Sequence, residues 1–157
     1  MVEWRPLEEL PKKRLASGVL LFNDADQLLI VKPSYKNHWS IPGGIVDLDE
    51  SPTECVVREC NEEVGISIRS PRLVCVDYRS ADVERNEHIN FVYLADQLID
   101  SDIDSIEIDG DEIIEYKFVF MPDALKQISP RIVRLINSTG IDNKTKQVYY
   151  LENGEKI

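Results

Sequence analysis

Residues 44–66 read GIVDLDESPTECVVRECNEEVGI, and the reading of the whole chain turns on them. Ser51-Pro52-Thr53-Glu54 is a helix start. Ser51 can cap the first-turn amides, Pro52 suits the first helical position, and Glu54 completes a capping box. Gly65 can take the left-handed conformation that ends the helix after about Val64. On a wheel at about 100° per residue with Cys60 as zero, Thr53, Val56, Val57 and Val64 fall within about 60° and form the core stripe. Glu59, Glu62 and Glu63 lie at roughly −100°, −160° and −60°, a contiguous acidic face beside the stripe, and Cys55, at about −140°, belongs to that face.

Three carboxylates at these spacings repel one another by a few tenths of a kcal/mol per pair. They also sit near the helix C-terminal end, where the macrodipole disfavours negative charge. A divalent cation would reverse both penalties, and clustered carboxylates are the hard oxygen ligands that Mg²⁺ takes together with substrate phosphates and water. Taken alone, the helix leaves a solvated acidic face open as the alternative. A thiol at Cys55 would add a soft ligand able to recruit Zn²⁺, or else act as a small filler against the neighbouring loop.

Working outward, Leu15 to Phe22 and Gln27 to Lys32 are apolar runs around the turn Asn23-Asp24-Ala25-Asp26 and predict a hairpin. Residues 1–13, with Pro6 and Pro11, read as irregular. A polar, partly basic loop follows at 32–37. His38 to Ile41 is extended, and Pro42-Gly43-Gly44 is expected to break regular structure. Arg72 to Tyr78, His88 to Leu94 and Ile113 to Phe120 read as strands, with the acidic stretch 96–112 as a long loop. Short helices are expected from Met121 to Ile128 and from Pro130 to about Asn137. The polar tail 138–157 holds one candidate strand at Gln147 to Leu151. Interleaved strands with few helices predict a mixed sheet flanked by helices.

Composition sets the outer bounds. The chain has 157 residues, 43% hydrophobic and 30% charged, which predicts a single domain, 1–157, able to bury its own core. With 29 acidic against 18 basic residues the net charge is −11, so duplex nucleic acid and anionic membrane are not expected partners. No run approaches the ~18 apolar residues of a membrane span, and the first residues lack the apolar core of a signal peptide. Cys55, Cys60 and Cys75 show no metal-type spacing, so a reduced, cytoplasmic setting is expected.

Together with the approach Trp39-Ser40-Ile41-Pro42-Gly43-Gly44, the segment resembles the signature of the Nudix hydrolases. Gly44 is followed by five spacers, Glu50, seven spacers, Arg58-Glu59, Cys60, Asn61, Glu62-Glu63, Val64, Gly65 and Ile66. Cys60 stands where the family carries Ile, Leu or Val, and a buried cysteine fills that role as a small hydrophobe. The resemblance extends over about 14–137 and implies an α/β fold, a Nudix-type α/β/α sandwich around a mixed β-sheet. It implies Glu59 and Glu63 as metal ligands, Glu62 as a ligand or a positioner of metal-bound water, and the Gly44 carbonyl as a further ligand. Arg58 and Glu50 would form a structural ion pair. The general base would lie in the box or outside it, at Glu112 or Glu115.

The implied activity is Mg²⁺-dependent hydrolysis, with Mn²⁺ able to substitute, of a pyrophosphate bond in a nucleoside diphosphate linked to another moiety. The alternative is a Nudix-fold module that senses a nucleotide without hydrolysing it. An acidic 96–112 loop binding a basic partner is a third reading, carried by charge alone. The partner is then a small nucleotide, with a homodimer left open. For substrate contacts the candidates are Lys32, Tyr35, Lys36, His38 and Trp39 in the loop before the box, then Tyr78, Arg79 and Phe91. Trp39 could equally pack in the core.

Overall fold

The computed structural model describes residues 4–157. Strand β1 (Arg14–Leu20) runs antiparallel to β3 (Gly43–Ile45) and parallel to β5 (His88–Leu94). On the far side of β5 come β4 (Arg72–Arg79), antiparallel, then β7 (Tyr149–Glu152), parallel to β4, then β8 (Glu155–Lys156). This mixed sheet has the order β3-β1-β5-β4-β7-β8, while β2 (Leu28–Pro33) and β6 (Ile113–Val119) pair in a second sheet of two strands. The helices are α1 (Pro52–Val64), α2 (Asp100–Asp104), α3 (Met121–Ala124) and α4 (Pro130–Thr139).

Alternation along the strands builds two cores, because successive side chains point to opposite faces. Val19, Leu21, Val31 and Tyr93 pack with Val56, Cys60 and Val64 of α1. Their neighbours Leu20, Phe22, Ile30, Val92 and Leu94 pack with Ala124, Leu135 and Ile136 of α3 and α4. Helices therefore cover both faces of the sheet, the expected α/β/α arrangement.

The structure corrects several local expectations. The 23–27 turn forms, with Asn23 Oδ1 accepting from the amides of Ala25 and Gln27 at 3.0 and 2.9 Å. The hairpin does not continue, because Phe22 bridges Leu28 but β2 then pairs with β6. The reason is burial: Leu28 to Val31 are each at most 1% exposed, so β2 enters both cores rather than alternating at a surface. Gly43 and Gly44 do not break the structure; they belong to β3. A Cβ on Gly43 would fall 2.2 Å from the Ser17 carbonyl oxygen, so glycine is what allows β3 to lie this close to β1. The acidic loop contains a short helix, α2.

The polar tail is more than a tail. Ile141 and Leu151 enter the α4-side core, and β7 and β8 extend the main sheet. The Gly154 amide donates to the fully buried Asp77 at 2.9 Å, and Asp77 pairs with Arg79 at 2.5 Å. Among the described residues no helix is long and apolar enough to cross a membrane. Truncating Leu151, which is 0% exposed, to Ala is expected to cost about 2–5 kcal/mol and lower the Tm by roughly 5–15 °C in a calorimetric scan. An unchanged Tm would place the last residues outside the cooperative unit.

Candidate functional site

Local chemistry sets α1. Ser51 Oγ accepts the Glu54 amide at 3.1 Å and Glu54 Oε2 accepts the Ser51 amide at 2.8 Å, a complete capping box. Gly65 ends the helix at φ 72° and returns its amide to the Asn61 carbonyl at 2.9 Å. The buried face is rotated from the expected stripe. It comprises Cys55, Val56, Cys60, Glu63 and Val64, whereas Val57 is 37% exposed. The cause is β3, which packs on the helix beside β1 and covers a side that a wheel treats as open.

Cys55 is accordingly 0% exposed, with its Sγ 3.8 Å from the Gly44 carbonyl oxygen, and does not sit on an open acidic face. Burial pushes its thiol up to about 12, so it is a small filler beneath β3 rather than a ready thiolate ligand.

The three glutamates have different surroundings. Glu63 is 6% exposed and accepts the Gly43 amide at 3.0 Å; burial pushes its carboxyl up to about 8 against that hydrogen bond. Glu59 lies against Gly44, where a Cβ would come within 2.1 Å of Glu59 Oε1. Burial raises its pKa and the Arg58 hydrogen bond opposes the rise. Glu62 points outward, its side chain 60% exposed, and accepts from Arg58 at 3.2 Å.

Arg58 organises this cluster. Its Nε and Nη2 donate to the two Glu50 oxygens at 2.7 and 3.1 Å, its Nη1 to Glu59 at 3.0 Å, and its Nη2 to the Ile45 carbonyl at 3.2 Å. Asp47 adds a carboxylate at 3.5 Å. The fork holds the Glu50 carboxyl down at about 2, and Glu50 in turn raises Arg58.

Among the described residues no three His, Cys, Asp or Glu side chains stand gathered as a metal cage. Arg58 draws Glu59 and Glu62 toward itself. The donor chemistry nonetheless fits a hard divalent cation: the Gly44 carbonyl, Glu59 in the space that the missing Cβ leaves, and the buried Glu63 are all oxygen donors. Glu62 lies at the edge of this set. The charge of Glu112 adds a small upward push to the carboxyls of both Glu59 and Glu63. Glu115 is exposed and stands opposite Lys32 in the β2–β6 ladder.

Next to the glycine pair opens a cavity of about 480 Å³, with Gly43, Gly44 and Ile45 in its wall. Tyr35, Lys36 and Arg79 line it; Lys32, Trp39, Tyr78 and Phe91 do not. Lys32 is bound back to the carbonyls of Pro33 and Lys36. Trp39 packs on the α4-side core under Lys117 Nζ, 4.2 Å from the ring centroid, so the packing alternative holds for it. Tyr78 donates to Glu87, and Phe91 packs on the α1-side core. His38 is half-buried, and its Nδ1 has no partner among the described residues. The sequence reading missed Arg14, Arg85, His88 and Arg131, all on the lining. No local signal marks them: Arg79 to His88 sets two arginines and a histidine against Asp82, Glu84 and Glu87.

Comparison with known families defines the class. A family model for the NUDIX domain matches residues 12–137, and the chain belongs to this family. Mouse diphosphoinositol polyphosphate phosphohydrolase 3-alpha is 32% identical over 98 residues, covering 62% of this chain and 59% of that protein. The RNA pyrophosphohydrolase of Ruthia magnifica subsp. Calyptogena magnifica is 38% identical over 50 residues, covering 32% of this chain and 28% of that one. The chain thus spans less than two thirds of the length of these curated relatives. In fold it is similar to the NUDIX domain of Shewanella oneidensis NrtR complexed with ADP ribose, with TM-score 0.68 and 20% identity over 85% of this chain and 90% of that one.

The Glu50–Arg58 fork makes stability pH-dependent. The folded carboxyl titrates near 2 against an ordinary value of 4.5, so its contribution is present above about pH 4.5 and is lost as pH falls toward 2. Thermal melts of wild type and Glu50→Gln should differ by several degrees at pH 6 and converge near pH 2. A constant gap across that range would show that the pair carries no such linkage. Arg58→Ala should lower the Tm at neutral pH at least as far, by roughly 5 °C.

Proposed function

We propose that the protein is a divalent-metal-dependent hydrolase that cleaves a pyrophosphate bond in a nucleoside diphosphate linked to another moiety. The observation that carries this reading is the placement of Glu59 and Glu63 against Gly44 and Gly43, two residues that also line a cavity of about 480 Å³. Oxygen donors for a cation and a space for the rest of a substrate meet there. The names of the relatives support the same bond class: a phosphohydrolase of a diphosphate, a pyrophosphohydrolase, and a fold neighbour holding ADP ribose, itself a pyrophosphate.

When bound, Mg²⁺ would neutralise anhydride oxygens and activate a water; Gly44, Glu59 and Glu63 are the residues that would hold it. Arg58 keeps Glu59 oriented and ties it to Glu50. Glu112 is the better outside candidate for removing a proton from the attacking water, since its charge reaches both Glu59 and Glu63. Tyr35 and Lys36 are the loop residues that face the substrate space. Glu62, exposed and outside the donor set, is assigned the secondary role of positioning water.

A substrate panel of pyrophosphate compounds with and without Mg²⁺ tests the reading. Glu59→Gln and Glu63→Gln should each lower kcat at least about 100-fold, and near-normal turnover in Glu63→Gln would overturn the assignment. Binding of a nucleotide without turnover of any compound would favour the sensing alternative. Gly44→Ala should depress turnover while sparing the Tm, because its Cβ would meet only the movable end of Glu59. Since burial holds Glu63 protonated below about 8, a cation must displace that proton, and the apparent Mg²⁺ affinity should strengthen from pH 6 to pH 8. A pH-independent affinity would remove Glu63 from the donor set.

A further inference from the structure

The chain carries a net charge of −11, yet the cavity beside Gly43 and Gly44 is lined by five cationic side chains: Arg14, Lys36, Arg79, Arg85 and Arg131. Glu84 is the single acid on that lining. With 29 acidic residues against 18 basic ones overall, five to one in the opposite sense is a local reversal rather than a sample of the surface. Most of these cations lack a counter-ion. Among the described residues the side chains of Arg14, Lys36 and Arg85 enter no ion pair, and buried Nη1 of Arg131 has no hydrogen-bond partner. Arg131 Nη2 is held by Asp82, and Arg79 is fixed by Asp77 and by the Arg131 carbonyl at 2.8 Å, so two of the guanidiniums are positioned rather than loose.

The N-terminus of α4 adds to the same field. Ser129, at its N-cap, lines the cavity and makes no side-chain capping bond. Pro130 has no N–H and the amides of Ile132 and Val133 donate to the Ser129 carbonyl, so this ten-residue helix adds the positive end of its dipole rather than a set of free donors. Burial, then Arg85 and Arg131, pull the Lys36 ammonium below its ordinary value, with Glu63 opposing them, the cost of crowding cations in a partly dry space. The rest of the lining suits a compact scaffold better than a stacked base. Leu20, Ile41 and Val92 form an aliphatic floor, and the one Phe, Tyr or Trp is Tyr35, which is 67% exposed.

We infer that this cavity seats a phosphomonoester borne by the substrate apart from its scissile anhydride, gripped by Arg85, Arg131, Arg79 and Lys36. The inference rests on the hydrolase reading for the position of the anhydride but not for the binding itself. It narrows the substrate to small molecules phosphorylated at a second place, on either a polyol or a nucleoside. Simple nucleoside di- and triphosphates would leave the cations unmatched.

Isothermal titration calorimetry in EDTA tests this without turnover, with inositol hexakisphosphate, a nucleoside bisphosphate and the matching nucleoside monophosphate as probes. At least one multiply phosphorylated probe should bind about tenfold or more tightly than the monophosphate, and the tighter one names the scaffold. Exposed Arg85, changed to Gln, should weaken that binding about tenfold while the Tm holds. Arg131→Gln should weaken it similarly and Arg131→Lys recover part of the loss. The double variant Lys144→Gln/Lys146→Gln, away from the cavity, should bind as wild type. Equal binding of mono- and multiply phosphorylated probes, or equal weakening by the remote lysine variant, overturns the inference. Binding that persists in a protein inert toward every anhydride would instead remove the hydrolase reading and leave this one standing.

Discussion

One guanidinium holds the site together. Arg58 meets Glu50 through a two-point fork and also touches Glu59, Glu62 and the Ile45 carbonyl. Without it, α1 would carry acidic side chains at i, i+3 and i+4 with nothing to offset their repulsion. With it, the loop after β3 is pinned to the helix, β3 stays beside β1 and against α1, and Gly43 and Gly44 remain where Glu63 and Glu59 reach them. Arginine suits this position because its planar fork satisfies several acceptors at once, which the point charge of a lysine does not. The arrangement is also a restraint. Glu59 and Glu62 are held toward Arg58, so collecting oxygen donors around a cation has to compete with hydrogen bonds already made.

How much was legible in the sequence follows the range of the interactions involved. Ser51, Pro52, Glu54 and Gly65 act within four residues of themselves, and the ends of α1 could be read from them directly. The alternation of β4, β5 and β6 was legible for the same reason. The buried arc of α1 was not, because which side of a helix is covered depends on β3, and β3 was hidden by a glycine pair that normally signals a break. Leu28 to Val31 looked like one arm of a hairpin; only the presence of two cores explains why that strand leaves its neighbour. Lys32 and Trp39 had plausible chemistry for substrate contacts, yet the loop spends one on its own carbonyls and the core takes the other. The cavity was illegible for a different reason. Its cations come from positions 14, 36, 79, 85 and 131; Lys36 and Arg79 were candidates singly, but nothing along the chain joins the five.

Charge is therefore partitioned rather than merely abundant. An anionic surface repels anions at distances up to the Debye length, about 8 Å at physiological salt. A positive interior then acts only on ligands that have already arrived and can fill it. Such a layout favours selectivity over speed of capture, because steering by the overall field is lost while the cavity still rewards a matched anion. Added salt would be expected to ease entry and loosen the grip together.

The three cysteines are buried at different depths of consequence. Cys60 and Cys75 lie in the two cores, whereas Cys55 lies under β3, next to the Gly44 carbonyl. Freeing the first two requires dismantling a core; freeing Cys55 requires only that one short strand lift from its helix. Thiol labelling then becomes a clock with two hands. The slow hand records global unfolding and the fast one records how often the loop that carries the glycine pair opens, the kind of local excursion whose free energy lies below the global value. The protein thus carries its own probe of how often the glycine pair lifts, a thiol whose Sγ lies 3.8 Å from the Gly44 carbonyl oxygen.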